Sequence, residues 1–136
     1  MGIQVVMDAM SVSDAESLND LRDLCLQIAK DHGFTDASIG EDIALIHSEL
    51  SEALEEHRKG RESEWIWYEN EFGGPAEWRD PITERLNKPC GIPIEMADAI
   101  IRILHFCGKH DIDIGRAVLE KIEYNKTRPY KHNKTL

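Results

Sequence analysis

At 136 residues, with 31% charged and 41% hydrophobic side chains, the chain has the balance of one folded globular domain rather than of a disordered segment. A net charge of −10 speaks against a protein that coats DNA or RNA, whose affinity comes from neutralised phosphates; six of the sixteen cations nevertheless fall in the last 21 positions, which leaves a small phosphorylated ligand open. Three cysteines (Cys25, Cys90, Cys107) without metal-ligand spacing argue against a disulfide framework or a zinc ribbon, no leader peptide is visible, and charges interrupt the one long apolar run, so a cytosolic protein with no membrane span is expected.

Ser13 and Glu16 stand in capping-box spacing at the head of the first predicted helix, and Gly33 is its natural stop. Leu18, Leu21, Leu24, Cys25 and Ile28 make its apolar face. The second predicted helix repeats the design, with Ser38 and Glu41 at its start, Gly60 at its end and Ile43, Ile46, Leu50, Ala53 and Leu54 expected inward. Residues 61–90 carry Trp65, Trp67 and Trp78, a Gly-Gly-Pro and two further prolines without periodicity. An extended arm, a short hairpin around Gly73 and Gly74, and a lid all fit such an insert. The third helix opens with Pro93, whose missing N–H costs nothing in a first turn. The fourth starts near Asp113, turns Ile114, Ala117, Val118 and Ile122 inward, and stops before Pro129. The expected architecture is all-α, a four-helix-bundle-like single domain over 1–136 with an irregular Trp-rich insert over about 61–90.

The chemistry lies in two acidic pairs. Between Ile92 and Cys107 eleven of sixteen residues are apolar, yet Glu95, Asp98, Arg102 and His105 follow one another at spacings of 3, 4 and 3, a single stripe on a helix. Glu49, Glu52 and Glu56 make a similar stripe on the second helix. Solvated outer faces explain such stripes on ordinary amphipathic helices. Most of a helix as apolar as the third is expected to be surrounded by protein, however, and carboxylates meeting between two helices repel one another unless a cation sits among them. Oxygen-only ligands suit Mg²⁺ or Mn²⁺ rather than Zn²⁺. Lys121 and Asn125, one turn apart, and Arg128 at the helix end can bind phosphate oxygens and a sugar hydroxyl, or can simply favour a helix C-terminus. Arg102 reads as a carboxylate's ion-pair partner, His105 as structural, and His47 as a cap or an indirect support. The tryptophans read as packing or interface residues before base-stacking ones.

Three segments, "ALIHSELSEALEEHRKG", "GIPIEMADAIIRILHFCG" and "EKIEYNKTRPYKH", together resemble the MazG-type all-α nucleoside triphosphate pyrophosphohydrolases, in particular the short phage and bacterial MazG-like proteins. The resemblance covers roughly residues 30–60 and 90–132. It implies Mg²⁺- or Mn²⁺-dependent hydrolysis of a (deoxy)nucleoside triphosphate to monophosphate and pyrophosphate; within a role in nucleotide-pool control, a purine substrate (dGTP, GTP or dATP) is the expectation. It further implies Glu49, Glu52, Glu95 and Asp98 as metal ligands, Glu49 and Glu52 as the catalytic carboxylates, and Lys121, Asn125 and Arg128 as phosphate and sugar contacts; Phe34, near the entrance of the second helix, is a candidate base contact. A homodimer or homotetramer is implied too, in the host cytoplasm if the gene is a phage's. The chain departs from the family in a 42-residue gap between its two acidic motifs and in Thr35 of "GFTD", where many relatives carry Trp. Two alternatives stay open: a non-catalytic helical module binding a nucleotide or a protein, and a pyrophosphohydrolase of a biosynthetic nucleotide such as phosphoribosyl-ATP.

Overall fold

Three of the four helices begin where a side chain meets backbone N–H groups that the first turn leaves free. In the computed structural model, which describes residues 17–34 and 36–129, four helices account for most of these residues. They are α1 (Leu18–Asp31), α2 (Ile39–Arg58), α3 (Ile92–Lys109) and α4 (Ile114–Lys126). Ser17 caps α1 by accepting from Asp20 N; the Ser13–Glu16 box expected from sequence lies outside the described residues. Ser38 and Glu41 form the reciprocal box at α2, worth about 1 kcal/mol of helix stability. Asp113 caps α4, and Pro93 stands in the first turn of α3. Gly33 and Gly60, both at positive φ, follow the ends of α1 and α2. Among the described residues no helix is long and apolar enough to cross a membrane.

The insert is not irregular throughout, which corrects the sequence expectation. Three short strands, β1 (Trp67–Glu69), β2 (Pro75–Ala76) and β3 (Lys88–Cys90), form an antiparallel sheet in the order β2-β1-β3. β1 and β2 make the hairpin at Gly73–Gly74. Asn70 N donates to Gly74 O, and the Asn70 side chain accepts from the N–H groups of Phe72 and Gly74, so the turn is closed by its own amide. Gly91 joins β3 to α3 at φ 120°, and any Cβ there would run into the Trp65 carbonyl oxygen. Only glycine fits that joint, and it fixes where α3 leaves the sheet.

The chain divides into two compact units. One runs from Asp36 to Ile103 and holds α2, the sheet and most of α3; Ala53 and Ala99 are buried in it. The other combines the residues before Asp36 with those from Leu104 on, and buries Leu104 and Cys107. There Asn19 ties α1 to the start of α4, its Nδ2 donating to Asp113 Oδ1 at 2.9 Å and its Oδ1 accepting from Gly115 N at 3.1 Å. Arg22 donates to Ile112 O at 2.8 Å, and Gly108 lets the last turns of α3 approach Leu26 closely.

The expected inward rows need correction. On α2 Ala53 is buried, but Ile43, Leu50 and Leu54 are exposed at 45%, 43% and 47%, while Asp42 and Glu49 are buried instead. On α4 Ile114 and Val118 are half-buried, whereas Ala117 and Ile122 are exposed. On α1 Leu21, Leu24 and Cys25 are half-buried, and Leu18 and Ile28 are exposed. In each case 3.6-residue periodicity defines an apolar row without saying which neighbour covers it.

Candidate functional site

All four carboxylates of the two acidic pairs belong to the unit 36–103. Glu49 and Glu52, three residues apart, share a face of α2; Glu95 lies in the first turn of α3, where Glu95 N bonds Gly91 O. One carboxylate oxygen from each of Glu49, Glu52 and Glu95 lies within 4.8 Å of the other two. Glu49 is buried, Glu95 half-buried and Glu52 exposed, so the trio runs from protein interior to solvent. Asp98 is half-buried one turn further along α3 and stands outside this tight group.

The electrostatics follow from the crowding. Burial, a hydrogen bond with Glu52 and the charges of Glu52, Asp98 and Glu49 push the Glu95 carboxyl up to about 7. Burial and then the Glu49 charge push Asp98 up as well, and Arg102 opposes them. Arg102 answers part of the negative charge: its Nε donates to Glu49 Oε1 at 2.7 Å, the carboxylate pairing expected of it from sequence. Glu95 Oε2 is buried with no hydrogen-bond partner, and the bond with Glu52, carboxyl against carboxyl, exists only while one of the two holds a proton. An orphaned oxygen inside a cluster of like charges is costly unless a proton or a cation serves it. The donor set is oxygen only, the set that hard divalent cations take and Zn²⁺ does not favour. These residues therefore fit an Mg²⁺- or Mn²⁺-type ion.

The acidic row on α2 is longer than the motif. Asp42, Glu49 and Glu56 recur every seventh residue, and all three are drawn towards the interior. Asp42 was not singled out from sequence, although its spacing from Glu49 is the signal that finds it. Glu56 has a buried Oε2 and is flanked by two cations, Lys59 Nζ at 3.7 Å from Oε1 and Arg61 Nε at 3.7 Å from Oε2. Arg61 in turn lies over the Trp67 ring, 4.5 Å from its centroid. Trp78 packs against Tyr68 at 5.3 Å between ring centroids.

The expected substrate contacts Lys121, Asn125, Arg128 and Phe34 belong to the other unit. Lys121 and Asn125 are exposed near the C-terminal end of α4 and Arg128 is half-buried just beyond it. Both cations gather on one ring, Lys121 Nζ at 5.0 Å and Arg128 Cζ at 5.9 Å from the Tyr124 centroid. Phe34 follows α1, 70% exposed, with its N–H on Ala29 O. Comparison of the chain with protein-family models, with curated proteins and with solved structures returns no match.

Proposed function

We propose that the protein is a metal-dependent nucleoside triphosphate pyrophosphohydrolase of the MazG-like kind, in which Glu49, Glu52 and Glu95, with Asp98 beside them, hold a divalent cation. The observation that carries the proposal is the meeting of three carboxylates within 4.8 Å around a buried, unpartnered Glu95 oxygen. When bound, Mg²⁺ or Mn²⁺ neutralises triphosphate oxygens and lowers the pKa of a coordinated water. The chain's own residues do the positioning on which phosphoryl chemistry depends. Glu49 is held in place by Arg102, Glu95 is fixed by the Gly91 joint, and Glu52, the exposed member, faces solvent and orients the attacking water. In the reaction a P–O bond between the α- and β-phosphates is replaced by one from water; pyrophosphate leaves and the water's proton passes to a carboxylate or to solvent. Phosphate and sugar contacts for Lys121, Asn125 and Arg128, which belong to the other unit, rest on the family resemblance alone. Nucleotide-pool control in the cytoplasm is the setting that this activity fits.

The test is incubation with each nucleoside and deoxynucleoside triphosphate in Mg²⁺ or Mn²⁺, with pyrophosphate and monophosphate both measured. Release with one or more of them is expected. No release from any nucleotide overturns the proposal and favours a binding module. Slow release from all, with fast turnover of phosphoribosyl-ATP, moves the substrate to a biosynthetic nucleotide.

The same proposal includes self-association. Ile39, Ile43, Leu50 and Leu54 on α2 and Met96 and Ile100 on α3 are each more than 40% exposed, within one unit. Obligate interfaces are more apolar than ordinary surface, and a second copy of this chain is the occupant proposed. Light scattering is expected to give twice or four times the chain mass. Replacing Leu50 by Lys is expected to shift it to one chain mass, and a wild type that is already monomeric overturns the assignment.

A further inference from the structure

The sheet was the least readable part of the sequence, and it carries chemistry that the carboxylate site does not use. Strand register decides which side chains share a face. Trp67 pairs with Cys90, and Glu69 pairs with both Lys88 and Pro75. Because paired residues point the same way and neighbours along a strand alternate, Trp67, Glu69, Pro75, Lys88 and Cys90 occupy one face, while Tyr68, Ala76 and Pro89 occupy the other.

That face leads along the chain into the acidic helix at one edge and borders a hollow at the other. At its β3 edge, Cys90 leads through Gly91 directly into the first turn of α3, which holds Glu95. Burial and then the Glu69 charge raise the Cys90 thiol, Lys88 opposes them, and Glu56 and Glu95 add to the rise; Lys88 in turn pulls Asp98 down. Lys88 is exposed and makes no ion pair among the described residues. At the β2 edge an open hollow of about 510 Å³ is lined by Arg61, by Trp67, Glu69 and Pro75 of this face, and by Tyr68 and Ala76 of the other. Small-molecule pockets run from roughly 300 to 1,000 Å³, so there is room for a purine. From Lys88 on β3 it is one strand spacing, about 5 Å, to Glu69 and two, about 10 Å, to Pro75 at the far wall of the hollow, a span of the order that separates the phosphates of a nucleotide from its base. Arg61 is held between Glu56 and the Trp67 ring, and Glu56 is one turn along α2 from Glu52.

We infer that this face of the sheet is the recognition floor of the site, with Lys88 meeting phosphate oxygens and a purine base lodged in the cavity between Arg61 and Glu69. Arginine donors match the acceptors on the outer edge of a purine, O6 and N7 in guanine. A carboxylate accepts from donors on the base, and guanine offers two adjacent N–H donors on its N1/N2 edge. Guanine is thus the best match and pyrimidines the poorest. The inference rests on the hydrolase proposal for the triphosphate, and not for the pocket itself.

The experiment compares wild type with E69Q and K88Q on dGTP, dATP, dCTP and dTTP in Mn²⁺. It also follows tryptophan fluorescence on adding guanosine monophosphate without metal, with Trp67→Phe as the control. A purine preference in wild type, cut about tenfold in kcat/KM ratio by E69Q, is expected. K88Q is expected to raise KM about tenfold for every triphosphate without changing their ranking, as a phosphate contact blind to the base would; K88R restores it. Quenching by the monophosphate should be lost in E69Q and in Trp67→Phe. If wild type shows no purine preference, or E69Q keeps the ratio, the pocket is overturned while hydrolysis stands. If no nucleotide is hydrolysed, the hydrolase proposal falls and fluorescence decides the pocket: quenching lost in E69Q upholds it, and no quenching in wild type overturns it.

Discussion

Replacing Glu52 by glutamine is expected to lower kcat on the order of 10²–10³-fold, the usual penalty for deleting one preorganised electrostatic contact at a reacting group. The metal-free protein should become no less stable, and at pH 8 should melt higher than wild type. Both effects have one cause. Glu52 is exposed, and glutamine keeps its volume, so little packing is lost. What disappears is one of three negative charges gathered within 4.8 Å, and in the absence of a cation that charge repels Glu49 and Glu95. A substitution that removes activity and relieves strain in the same step marks a site whose repulsion is kept for a ligand. Turnover with Mn²⁺ and calorimetric melting in EDTA are the two measurements. A variant as active as wild type sinks the metal assignment, and one that is inactive and also melts lower in EDTA makes Glu52 a structural residue.

Much of this arrangement was legible in the residues themselves. Ser38 and Glu41, Gly60, Pro93 and Asp113 are local signals, each acting within one turn, and the helix bounds follow them. The spacing of Glu49, Glu52 and Glu95 placed them on stripes, and the structure brings those stripes together. Asp98 shares the stripe but not the tight group. A three-residue step on α3 is enough to move it away, and sequence spacing does not fix the distance across to another helix.

The burial of α2 was not legible, for a related reason. Its apolar row, Ile43, Leu50 and Leu54, and its acidic row, Asp42, Glu49 and Glu56, lie one or two residues apart. Periodicity finds both, yet nothing in the chain says that the acidic row faces inward while the apolar row awaits a cover. The sheet was hidden by its size. Strands of two and three residues are too short for alternation to register, and their register depends on an Asn70 turn and a Gly91 joint that act through backbone geometry. The acidic motifs were therefore readable before the element that separates them, and the separating element carries Arg61, Glu69 and Lys88.

Cation affinity is expected to rise about tenfold per pH unit below pH 7 and to level off above it, because one proton must leave before the ion binds. The proton is the one on Glu95, whose carboxyl is pushed from 4.5 to about 7 by burial and by Glu52. For a group whose pKa is raised by folding, the stabilising contribution is complete below the unfolded value and is lost as pH rises through the folded one. The metal-free protein should then melt progressively lower between about pH 4.5 and pH 7 and beyond, and Asp98, also raised, adds in the same direction. Asp80 and Asp113 are lowered from 3.8 by hydrogen bonds, so their losses belong to more acid solution and leave this window clear. Mn²⁺ replaces the departing proton, and its stabilisation of the fold should be small at pH 5.5 and large at pH 8. Calorimetric melting with EDTA and with Mn²⁺ at three pH values reads both slopes. In Glu95→Gln the metal-free melting temperature should no longer fall through this range, apart from the part due to Asp98. A metal affinity that is flat from pH 5.5 to pH 8 would mean that the ion, if any binds, does not compete with the Glu95 proton, and the three carboxylates would have to be explained without it.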